Sequence, residues 1–124
     1  PSYGLGEIEI TDMLKASFEY AKEDMDARSI AEARLDAVSV LDAVQGALRL
    51  DGDALLTNDE REIVTQAIDK LQVCLDDEAS APLKITEVSK VLMAASDDFA
   101  ARRMDASVRQ ALAGLSVDEI SVVD

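Results

Sequence analysis

The chain has 124 residues, 26 of them acidic and 12 basic, with a formal net charge of −14 and no histidine. That length holds one ordinary domain with one core, and the excess of acid excludes a nucleic-acid partner, whose phosphates need clustered Lys and Arg. The missing histidine excludes Ser-His-Asp, Cys-His and HExxH chemistry, and no apolar run approaches the roughly 20 residues of a membrane span.

"PSYGLG" (1–6) is a turn-rich entry. Gly6 can cap a helix, and Glu9 follows three residues later as half of a capping box. Ile10, Leu14, Phe18, Ala21 and Met25 then recur at helical spacing, which predicts helix A over 7–22. Helix B is predicted over 23–50, on Ile30, Ala33, Ala37, Leu41, Val44 and Leu48. No Gly or Pro lies between Thr11 and Gln45, so A and B can merge into one long helix. "DGDALLT" (51–57) breaks the pattern, and Thr57-x-x-Glu60 is a full capping box for helix C over 58–76. Its stripe is Val64, Ala67, Ile68, Leu71, Cys74 and Leu75.

Ser80 and Pro82 signal the start of helix D, over 82–101, with Ile85, Val88, Leu92, Ala95 and Phe99 on one face. The stripe then changes phase to Met104, Val108, Ala111, Leu112 and Leu115. The two faces differ by roughly 140° at 100° per residue. This predicts a bend or break near 101–105 and a short helix E over 103–113. Gly114 is its expected stop, and 116–124 is expected to be a flexible tail. The fold class is therefore all-α, a four- to five-helix bundle with a long protruding N-terminal helix. Only 5 Gly and 2 Pro are present, which suits a few long helices.

Arg102 and Arg103 are the most conspicuous basic pair in so acidic a chain. Asp98 precedes Arg102 by four residues, and Asp105 precedes Arg109 by four, the favourable order for helical ion pairs. Arg103 follows Phe99 by four, so its stem is expected to cover the ring. Asp51, Asp53, Asp59 and Glu62 fall at positions 1, 3, 9 and 12 of a calcium loop. Leu55 and Leu56 occupy its fifth and sixth positions, where a ligand and a Gly belong. The stretch reads instead as a helix connector, with no metal. Cys74 lies on an apolar stripe and reads as a buried, inert thiol. A single cysteine makes no internal disulfide and fits a reducing, cytoplasmic compartment. The chain begins at Pro1 without Met and is expected to be a piece of a longer protein. By residue chemistry alone it is an acidic helical interaction domain, and an unrelated helical adaptor is the alternative.

"DFAARRMDASVRQALAGLSVDEI" (98–120) resembles the C-terminal end of the DnaK-like chaperones, in the branch dedicated to iron–sulfur cluster assembly. "PSYGL" (1–5), "YAKEDMDAR" (20–28), "GAL" (46–48), "DGDALL" (51–56) and "ER" (60–61) fall in register with the same family. The resemblance covers essentially the whole chain and is weakest over 76–97. It implies that 7–115 is the helical lid of the substrate-binding region, and that 1–6 is the exit from a β-sandwich. It also implies a parent that binds ATP in an N-terminal domain and works with a J-domain co-chaperone on an iron–sulfur scaffold protein as client. No cofactor and no catalytic residue is implied for the chain itself. Asp24 aligns with an acidic residue that ties lid to sandwich. Val38 stands where general chaperones carry an acidic latch. With the sandwich absent, Ile10, Leu14, Phe18, Ala21 and Met25 form an apolar association face, and the chain is expected to form a homodimer.

Overall fold

Three helices carry the computed structural model, which describes residues 6–123 and the side-chain surroundings of 6–115. Helix α1 spans Glu7–Leu55, α2 spans Asn58–Asp76 and α3 spans Pro82–Val123. The entry segment 1–5 lies outside the described residues.

The predicted helices A and B are one uninterrupted helix, as the absence of Gly and Pro over 12–44 permits. α1 also runs five residues past the expected end at Leu50. Asp51 and Asp53 are taken up by Arg103 and Arg61, and Gly52 is buried in the last turns, so packing overrides weak propensity there. The connector shrinks to Leu56 and Thr57, with the Leu56 N–H donating to the Gly52 carbonyl at 3.1 Å. Helices D and E are likewise one helix, and the break expected near 101–105 is absent. "AARRM" contains only good helix formers. The change of apolar phase there marks a change of surroundings. Gly114 does not stop α3, which continues to Val123. A Gly within a helix costs about 1 kcal/mol but ends it only when its backbone turns left-handed. The flexible tail expected over 116–124 is therefore helical in backbone as far as Val123.

The capping box is built as expected. Thr57 Oγ1 accepts from the Glu60 N–H at 3.2 Å, and Glu60 Oε1 accepts from the Thr57 N–H at 3.0 Å. Thr57→Ala should therefore lose about 1 kcal/mol in urea melts, with exposed Thr65→Ala near neutral. Equal losses at both positions would refute this start for α2. Ser80 does not cap α3. Its buried hydroxyl donates to the Cys74 carbonyl at 2.6 Å and closes the α2–α3 loop.

α2 lies antiparallel to α1, and α3 returns parallel to it. Arg34 reaches the α2 C-terminus, and Arg103 of α3 meets Asp51 of α1. The helices bury Ala37, Leu41, Ala47 and Leu48 of α1 against Val64, Ala67, Ile68, Leu71 and Cys74 of α2. Ile85, Leu92 and Phe99 of α3 complete the core. This hub takes up α1 from about residue 30 and α3 as far as Arg103. Before it, residues 6–29 are all exposed. The first 23 residues of α1 thus form a free arm of roughly 35 Å. At the opposite end, α3 from Met104 onward forms a second arm of roughly 30 Å.

Candidate functional site: the α1 arm

The predicted association face lies entirely on this arm. Ile10, Leu14, Phe18 and Met25 are exposed, Phe18 at 75%, and Ala21 is exposed between them. At 100° per residue these five side chains fall within roughly 80° of one another. The face that α1 buries in the hub, along Ala37, Leu41 and Leu48, is turned from them by roughly 160°. α1 therefore has two apolar faces on opposite sides. One is spent on its own core, and the other is left open along the arm. An intact helix cannot bring the second face back onto the hub.

Charge sharpens the face. Between Glu7 and Ser29 there are seven acids and three bases, a net of −4. Among the described residues Asp24 pairs only with Arg28, one turn on, at 3.2 Å, and both side chains are exposed. Its carboxylate remains open to water and to a partner. Val38, farther along α1, is exposed beside the hub.

The arm's direction is fixed by how the hub grips α1 and α2. The Arg34 guanidinium donates to the Leu75 and Asp77 carbonyls at 2.8 Å each, satisfying acceptors that the end of α2 leaves free. Arg102 does the same work for the end of α1 and ties it to the start of α2. It forms a bidentate pair with Glu60 at 2.9 and 2.6 Å and donates to the Leu55 carbonyl at 2.9 Å. Arg103 pairs with Asp51 at 2.7 Å. The one-turn Asp98–Arg102 pair expected from spacing is replaced by this contact across 42 residues. Asp98 acts on Arg102 only as a nearby charge. Arg103 likewise gives its charge to α1, while Phe99 is buried in the core.

The Arg102 hydrogen bond and the Thr57 N–H hold the Glu60 carboxyl at about 2, down from 4.5. Stability from this charge is complete above pH 4.5 and falls away as acid approaches pH 2. In thermal melts the advantage of the wild type over Glu60→Gln should be constant near neutrality and shrink across that acid window. An advantage that is the same at both ends of the window would show that the charge of Glu60 is not used.

Asp51 and Asp53 are engaged by Arg103 and Arg61, and Leu55 and Leu56 turn toward the core. Among the described residues, no group of three or more acidic, Cys or His side chains is placed to hold a metal ion. No helix among them is long and apolar enough to cross a membrane. Arg34 and the Arg102–Glu60 pair are the positioning residues that sequence reasoning missed. Arg34 stood beside the hub stripe, between Ala33 and Ala37, and a cation there was the available signal.

No protein-family model matches the chain. Curated relatives do. The chaperone protein HscA homolog of Vibrio cholerae serotype O1 (strain M66-2) is 51% identical over 121 residues, covering 97% of this chain. The chain belongs to the HscA chaperone family. The HscA homolog of Methylobacillus flagellatus is 47% identical over 122 residues, and the chaperone protein HscA of Proteus mirabilis 46% over 120. In all three the match spans 19% of the relative's length, so this chain corresponds to about one fifth of an HscA chaperone. The all-helical fold agrees with the architecture that the sequence implied.

Proposed function

We propose that this chain is the helical lid of an HscA chaperone, and that the α1 arm docks it onto the peptide-holding β-sandwich of the same protein. The observation that carries this reading is the double-faced α1. A helix with its own hub on one side and an open apolar face on the other is built to lie across a second body. The receiving surface would be apolar and carry an excess of positive charge, to match the arm's net of −4. Asp24 sits at the edge of that face. In the intact cytoplasmic chaperone, ATP bound in the N-terminal domain would shift the lid between docked and free states and so set the exchange rate of the client. The client class is the iron–sulfur scaffold protein, delivered by a J-domain co-chaperone. ATP hydrolysis belongs to the parent, outside this chain.

The test uses the full-length chaperone with Leu14→Glu and Phe18→Glu together. Both side chains are exposed here, so the hub should keep its fold. A fluorescent client peptide should leave the ADP state roughly tenfold faster, the loss of about 1.4 kcal/mol of docking. Release at the wild-type rate would refute the docking role of the arm.

A further inference from the structure

The open face of α1 reads the same in both directions. Turned end for end about a point between Ser17 and Phe18, Ile10 falls on Met25, Leu14 on Ala21 and Glu7 on Arg28. All of these positions lie within roughly 100° of one another around the helix. Outward from that point the steps on either side are three, four and three residues, the alternation of a helix–helix seam over about three heptads. The point is also the middle of the arm, which begins at Glu7 and meets the hub near Ile30.

Such a face is self-complementary for a second copy running the opposite way. Large side chains meet small ones, Leu14 against Ala21 and Phe18 against Ser17, so the two surfaces interdigitate. At each end Glu7 of one copy meets Arg28 of the other, and Asp24 already steadies Arg28 from one turn back at 3.2 Å. Ile10, Leu14, Phe18 and Met25 are 46% to 75% exposed, and pairing covers them. Five of the arm's seven acids, Glu9, Asp12, Glu19, Glu23 and Asp26, lie more than about 120° from the midline of the face and would point to water. They still repel at long range, so the pair is weak and is strengthened by salt. We infer that this chain pairs with a second copy of itself through the α1 arm, antiparallel, about a twofold axis between Ser17 and Phe18. A twofold contact closes on itself and stops at the dimer. The overlap ends where each hub begins. On the docking reading above, pairing and docking use one face and exclude each other, so a paired chaperone would have its lid undocked.

Sedimentation of the 124-residue chain from about 10 μM to 1 mM, the range of weak complexes, should show a monomer–dimer equilibrium. Phe18→Glu should abolish it, with the melting of the hub unchanged by circular dichroism. Arg28→Glu should weaken it roughly fivefold, since each dimer holds two exposed pairs. Adding Glu7→Arg should restore it at the net charge of the wild type, which reports the register. With Cys74→Ala as background, mixed Leu14→Cys and Ala21→Cys chains should cross-link to each other in preference to themselves under mild oxidation. A monomer at every concentration, or growth beyond dimer, would overturn the inference. So would a dimer that Phe18→Glu leaves intact, a double exchange no stronger than Arg28→Glu, or Leu14→Cys chains linked chiefly to themselves, the mark of parallel pairing. Peptide release from the full-length chaperone is a separate measurement, so docking of the arm stands or falls without the pair.

Discussion

Phe99→Ala is expected to cost about 3–5 kcal/mol of unfolding free energy. The ring is only 2% exposed, in the last turns of α3 that the hub covers, and among the described residues no second aromatic shares the core. Removing it leaves a void in the core that aliphatic neighbours close only in part. The chain has two phenylalanines, and the other is an internal control. Phe18 lies on the free arm, so Phe18→Ala should stay within about 0.5 kcal/mol. Arg103→Met loses a half-exposed ion pair to Asp51 and should cost about 0–1 kcal/mol. Urea melts of the three variants separate these effects. A smaller loss for Phe99→Ala than for Arg103→Met would overturn the placement of the ring in the core.

Leu71→Ala should be of similar weight, about 2–5 kcal/mol. Leu71 is completely buried in the middle of α2, the one helix that touches the hub along its whole length. Val73, two positions on, points outward, and Val73→Ala should be near neutral or slightly favourable, since Ala is the better helix former. Because the hub contains a single core, Leu71→Ala should lower the melting of all three helices together. Loss of ellipticity in two separate steps would show that the arms and the hub unfold as independent units.

The helices were legible wherever one face served one partner. The stripe from Val64 to Cys74 names the buried residues of α2, and Thr57-x-x-Glu60 fixes its start to the residue. Sequence reading failed where a helix changed partner midway. The phase shift between Phe99 and Met104 looked like a helix boundary because a stripe was assumed to follow one core. In fact α3 leaves the hub there and presents a new face to water. Gly114 looked like a stop on composition, although its backbone stays helical. The arginines were misread for a different reason. Asp98 offered Arg102 a partner one turn away, and nothing local reveals that Glu60, 42 residues back, already has its carboxylate aimed by the capping box. A side chain held in place by a cap makes a better partner than a free one on the same helix, because its conformational freedom is already spent.

The unbroken passage of α1 from arm to hub has a mechanical consequence. A long helix without Gly or Pro bends only gently, so over 12–44 it behaves as a lever whose fulcrum lies near Ile30. With a lever of roughly 35 Å, a tilt of about 10° at the fulcrum sweeps the tip through about 6 Å. That is more than the height of one helical turn. Small rotations of the hub about that fulcrum are thereby magnified into displacements of several ångströms at the start of α1.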